Sequence, residues 1–253
     1  MVVMAGAACI ALVGAISCND PALKTDCYEM NEAAALSEAR ADSISLSVSV
    51  EYPVSGLQKQ ACSRICESIA GMCFGLEAGS VEEVAGLWAD SCVDEYRKQG
   101  TELLEYLEGN DDDGPCAVLA WEQSVSGHIA GVHGDYLSYI IGRYQFSGGA
   151  HGSTEETAVV FNRKTGAVTA EDEFFADGAK AQLGRLLTAR LREALPDDDA
   201  YNALFTKEIE PNGNFFVTPE GVTYIYGQYE IGPYYLGIID ISIPWAELEG
   251  LCR

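Results

Sequence analysis

The sequence predicts an α+β protein of mostly antiparallel sheet with segregated helices, and three observations carry that expectation. Residues 44–50 (Ile-Ser-Leu-Ser-Val-Ser-Val) and residues 238–243 alternate in polarity, the mark of a strand with one buried face. Residues 57–72, 80–107 and 183–195 instead repeat their apolar side chains at helical spacing. The helical runs gather before the acidic loop at 110–114 and strand-like runs dominate after it. Grouping of that kind, rather than regular alternation, distinguishes α+β from α/β.

Taken in order, the first element is a leader. Residues 2–16 are nearly all apolar and uncharged, and a run of about 15 is short for a membrane span of about 20. It ends in Ala15-Ile16-Ser17-Cys18, which resembles the lipobox of bacterial lipoproteins. That resemblance implies a signal peptide over residues 1–17 and lipid attachment at Cys18. An ordinary secretory signal with an incidental cysteine is the alternative. Residues 18–43 are polar and alanine-rich, with a weakly helical stretch near 32–40, and read as a flexible lipidated tether.

A half-buried strand over 44–50 follows and Tyr52-Pro53 ends it. A helix over 57–72 comes next. Ser80-Val-Glu-Glu83 has the form of a capping box, after which Val84, Leu87, Trp88 and Tyr96 recur at helical spacing. Gly100 interrupts that helix before Leu103, Leu104 and Leu107. Residues 118–132 and 136–146 read as long strands turning near Gly134, and 157–161 pairs with 167–170. Leucines 183, 186, 187, 191 and 195 form a helix stopped by Pro196, and Asp197 to Asp199 start a short one. Strands at 215–217 and 222–226 flank Thr218-Pro-Glu-Gly221, and 238–243 is the last strand.

Composition is that of a globular protein, with 48% hydrophobic and 21% charged residues. The charge is lopsided: 15 Lys and Arg against 39 Asp and Glu leave −24. Such a surface repels nucleic acid and anionic lipid and favours cationic partners, or serves solubility alone. Of nine cysteines, removing Cys9 in the leader and Cys18 leaves seven, an odd number, so at least one stays free or bonds another chain. Cys62, Cys66 and Cys73 share an apolar helix face with Ile65 and Ile69 and read as buried thiols. A zinc site is not expected, since no CxxC occurs and the histidines lie far off in sequence.

Four strings, in order, carry a family resemblance: Tyr144-Gln-Phe-Ser-Gly-Gly-Ala-His-Gly152, Phe161-Asn-Arg-Lys-Thr-Gly166, Asn214-Phe-Phe-Val-Thr-Pro-Glu-Gly221 and Tyr229-Glu-Ile-Gly-Pro-Tyr-Tyr-Leu-Gly237. On these the chain resembles the RsiV-like family of bacterial envelope proteins. Residues 48–56, with Glu51-Tyr52-Pro53, resemble the start of the companion domain that precedes it. The resemblance implies an N-terminal companion region over 44–135 and an RsiV-like domain over 136–253. One relative is an anti-sigma factor that binds lysozyme, and others carry the module beside a polysaccharide deacetylase. What it implies here is recognition of a protein or glycan in the cell envelope, outside the cytoplasm.

The chemistry-bearing residues are few. Gly148, Gly149 and Gly152 around His151 permit unusual backbone angles and the close approach of a ligand. With Tyr144 at the head of the same string they form one candidate binding patch. The competing reading has His151 hydrogen-bonded to a neighbouring carbonyl. His128 and His133, five apart in a strand, fall on opposite faces. Aromatics crowd the C-terminal stretch: Tyr224, Tyr226, Tyr229, Tyr234 and Tyr235 offer a platform for sugar rings or a protein hot spot, or pack in the sheet. The run at 110–114 fails as an EF-hand, whose first and twelfth positions would be Gly109 and Ala120. No cofactor or metal is expected, and nothing resembles an NTPase phosphate loop or a dinucleotide fold. The leading expectation is a non-enzymatic module binding a cationic protein such as lysozyme. A glycan- or peptidoglycan-binding module and a cell-wall hydrolase centred on His151 are the alternatives.

Overall fold

The computed structural model of the chain describes residues 22–76, 79–109 and 119–253. The leader, Cys18, Cys116 and the acidic loop at 110–114 lie outside them. The chain runs β1 (Lys24–Ala35), β2 (Ser43–Ser55), α1 (Lys59–Phe74), α2 (Val81–Gly109), β3 (Trp121–His133), β4 (Tyr136–Phe146) and β5 (Ser153–Asn162). Then come α3 (Glu171–Phe174), α4 (Lys180–Arg190), α5 (Asp198–Ala203), β6 (Phe215–Val217), β7 (Gly221–Tyr226) and β8 (Ile239–Pro244). Five strands form one sheet in the order β1-β2-β3-β4-β5, and three form another in the order β6-β7-β8. The expected α+β class holds. Every pairing is antiparallel except β2 with β3, which is parallel from Ile44 opposite Trp121 to Val50 opposite Gly127. Parallel neighbours need a long crossover, and α1 and α2 supply it.

The alternation over 44–50 buries Ile44, Leu46, Val48 and Val50 against Ile65 and Ile69 of α1 and Val84, Ala85 and Tyr96 of α2. The capping box closes as expected: Glu83 N–H donates to Ser80 Oγ at 3.2 Å, and Ser80 N–H donates to Glu83 Oε2 at 2.9 Å. On β4, Leu137, Tyr139 and Ile141 face this helical core while Ser138 faces β6, which explains why the strand is buried on both sides. A second core joins Leu183, Leu187 and Leu191 to Phe174, Phe175, Phe215, Tyr224 and Ile241. Asp197 caps α5, its carboxylate accepting from Ala200 N–H at 2.8 Å.

Four expectations are corrected. Residues 24–35, expected within a flexible tether over 18–43, are strand β1, paired along their length with β2. Their helix-prone alanines and glutamates yield to the partner, since strand preference is set by cross-strand packing more than by intrinsic propensity. Pro53 does not end β2, which runs on to Ser55 against β1. Gly100 does not interrupt α2, because it serves as a gap: a Cβ there would lie 2.6 Å from Leu36 Cδ1, so the missing side chain lets the end of β1 seat on the helix. Residues 135 and 136, where the two expected regions meet, lie at the tight β3–β4 turn. Residues 167–170 contribute a single bridge, Val168 to Phe161, while β5 takes β4 as its partner.

Candidate functional site

One end of β4 and β5 meets the stretch 227–237, and most of the sequence-derived site residues gather there. Gly148 and Gly149 turn the chain with φ of 90° and 98°, which side chains resist. The turn delivers His151, exposed, onto the Tyr234 ring, with centroids 3.8 Å apart and planes at 23°. His151 Nδ1 lies 3.0 Å from the Gly152 carbonyl, to which Tyr234 Oη also donates at 2.8 Å. Gly152 is buried under Tyr144, and a Cβ there would stand 2.4 Å from the ring. Tyr229 continues the tier, 5.7 Å from Tyr234 at 37°. Tyr235 is 69% exposed and Tyr229 57%.

Tyr229 is the only non-glycine residue with a positive φ, 64°, among the described residues. A left-handed backbone costs a residue with a Cβ about 1–2 kcal/mol, and here it holds an aromatic ring out in solvent. Strain spent on exposing an apolar ring is a mark of a binding surface rather than of packing.

Beside Tyr229 lies a groove of about 610 Å³ whose lining includes Glu155, Glu156, Asn212, Asn214 and Glu230, with no basic side chain. Its floor is the edge of β5, kept in place by side-chain amides. Asn214 Oδ1 accepts from Ala158 N–H at 2.7 Å while its Nδ2 donates to the Glu156 carbonyl at 2.9 Å, and Gln228 Oε1 accepts from Thr154 N–H at 2.9 Å. Glu230 is fixed by Gly227 N–H at 2.7 Å and Asn212 Nδ2 at 2.9 Å. Glu155 has Arg143 at 4.0 Å, an exposed pair worth little. Burial pushes the Glu156 carboxyl up; the charge of Asp240 adds to this and His128 opposes it. Burial raises Asp240 likewise. Both favour a cation brought close.

Two candidates are corrected. Tyr224 and Tyr226 are buried at 0% and 2% exposure, because β7 is a central strand covered on both faces, so neither presents a stacking platform. Tyr224 Oη donates to the Glu171 carboxylate and Tyr226 Oη to the Glu210 carbonyl. His133 stacks on Trp245 at 4.4 Å, and His128 is exposed. Sequence reading missed Glu155, Glu156, Asn212, Asn214 and Gln228, although Asn214 opens one of the family strings.

Sequence comparison reaches the same C-terminal half. Residues 172–246 match DUF3298, a family of proteins of unknown function. Solved DUF3298 structures share the fold over nearly the whole chain. A DUF3298 member from Bacteroides fragilis superposes with a TM-score of 0.80 at 24% identity, covering 91% of this chain and 94% of that one. A DUF3298 family protein from Pseudomonas aeruginosa gives 0.67 at 13% identity, covering 92% and 96%. No curated protein matches the chain. The DUF3298 match spans α4, α5 and the three-stranded sheet and includes Asn212, Asn214, Tyr229 and Glu230.

Proposed function

We propose that this protein is a non-enzymatic binding module, lipid-anchored through Cys18 outside the cytoplasm of a bacterial cell, and that it takes a cationic protein in the groove beside Tyr229. A lysozyme-type muramidase is the first candidate, as the RsiV-like resemblance implies. The observation that carries the reading is the strained, exposed Tyr229 beside three groove carboxylates and no lining base. An arginine or lysine of the partner gains a ring face and a carboxylate together there. The −24 charge raises the encounter rate with such a partner more than the final affinity.

Titration calorimetry of the protein lacking residues 1–18 against a lysozyme, at low and at physiological salt, tests this. Saturable binding that persists at physiological salt and falls with Tyr229→Ala supports it. Binding abolished by physiological salt, or indifferent to Tyr229, removes it.

A second reading rests on the stacked His151–Tyr234 pair and the exposed Tyr235, whose ring faces suit pyranose sugars. Salt-insensitive retention on isolated cell walls, lost with Tyr235→Ala, distinguishes a glycan- or peptidoglycan-binding module from the first reading.

A further inference from the structure

Away from the groove, where α1 meets β2, two thiols converge on one atom. Cys62 Sγ and Cys66 Sγ each lie 3.3 Å from the Pro53 carbonyl oxygen. Helical spacing puts their side chains one above the other on the same face of α1. The parallel ladder with β3 stops at Val50, which leaves the Pro53 carbonyl to the thiols. The two sulfurs are therefore no more than twice 3.3 Å apart. A groove of about 500 Å³ leads to Cys66 past Tyr52, Ser63, Glu67 and Glu82. Glu67 and Glu82 put two carboxylates in its lining.

We propose that Cys62 and Cys66 form a two-coordinate site for a soft monovalent cation of the Cu(I) or Ag(I) class. Two convergent thiolates are what such an ion selects, whereas oxygen donors suit hard cations. A closed zinc site needs four ligands, and no group of three or more His, Cys, Asp or Glu converges among the described residues. A disulfide fits less well. It requires Cβ atoms about 3.8 Å apart, while residues one helical turn apart hold theirs about 5–6 Å apart. An ion bridging two sulfurs spans about twice a metal–sulfur bond of about 2.3 Å, within the separation that the shared Pro53 carbonyl allows.

Binding exchanges two S–H protons for one cation, giving a bis-thiolate complex with one negative charge and two released protons; no electron is transferred. Burial, then the adjacent Cys62 thiol, pushes the Cys66 thiol up to about 12. Two protons leave on binding, so affinity climbs with pH. Cys73 and Cys92, pushed by burial up to about 12 and about 11, share no carbonyl with a second thiol among the described residues and serve as internal controls.

The test is anaerobic competition of the reduced full chain with Cu(I) presented as its bicinchoninate complex. One Cu(I) per chain is expected, with affinity rising about 100-fold per pH unit for two protons released. Retention is expected to vanish in Cys62→Ser and in Cys66→Ser and to persist in Cys92→Ser. Silver protection of the unmutated chain gives a readout that does not depend on a variant folding: one equivalent of Ag(I) is expected to shield Cys62 and Cys66 from alkylation while Cys27 and Cys92 are modified. Failure of the wild type to withdraw Cu(I), retention in the Cys62→Ser and Cys66→Ser chains, or silver protection at other cysteines overturns the proposal.

Discussion

Ser138 and Val217 join the two sheets through one buried hydrogen bond, in which Val217 N–H donates to Ser138 Oγ at 2.8 Å. Both residues are fully buried, so no water replaces the hydroxyl when it is removed. Ser138→Ala leaves a buried donor unmet and is expected to destabilise the fold by about 1–3 kcal/mol. Urea denaturation checks this, with a lower midpoint and an unchanged slope as the expected result.

Tyr229 links stability and binding with opposite signs. Tyr229→Gly removes the cost of a positive φ and is expected to raise stability by about 1 kcal/mol, offset by the added freedom of the unfolded chain. The same change removes the exposed ring, so affinity for the cationic partner is expected to drop about tenfold or more. Thermal denaturation and calorimetry on one preparation read both effects, and equal affinity of the two proteins refutes a role for the ring.

Gly152 tests the geometry beneath His151. Gly152→Ala pushes a methyl into the Tyr144 ring and is expected to cost about 1–3 kcal/mol while freeing the ring tier above it. Proton NMR is expected to show the His151 and Tyr234 resonances losing their mutual ring-current shifts. Unchanged shifts rule out the proposed coupling.

Glu156 in the groove and Asp240, whose charge acts on it, set a pH dependence. Glu156 and Asp240 have raised folded-state values, so their contribution to stability is fully present below the ordinary carboxylate range and is lost as pH rises through the raised values. Glu156→Gln is therefore expected to melt higher than the parent at pH 7, with the difference closing by about pH 4. Melting curves across that range decide it. Cation binding is expected to run the other way, weakening as acid neutralises Glu156.

Local signals made much of this molecule legible in the sequence. The alternation of 44–50, the Ser80/Glu83 box, the turn at Thr218–Gly221 and the Asp197 cap all depend on neighbours within a few residues, and each formed. β1 was illegible because its alanines and glutamates favour helix, and β2 overrules them from outside the segment. The patch at Tyr144, His151, Tyr229 and Tyr234 is visible as residue types, but the buried Tyr224 and Tyr226 look the same in sequence, because periodicity tells which residues share a face and not whether that face is covered. The groove depends on Asn214 reaching β5 across the fold, and tyrosine gives no signal for a left-handed backbone.

The parallel seam between β2 and β3 governs the order in which this chain can assemble. The β1–β2 hairpin and the β3–β4–β5 meander each join strands that are neighbours along the chain, so they form early. Pairing Ile44–Val50 with Trp121–Gly127 closes the longest loop in the sheet, so it is expected to come last. Until then β2 and β3 each offer a bare, strongly apolar or hydrogen-bonding edge, so a chain emerging slowly, or cut within the crossover, is most prone to stick to its copies along those two strands.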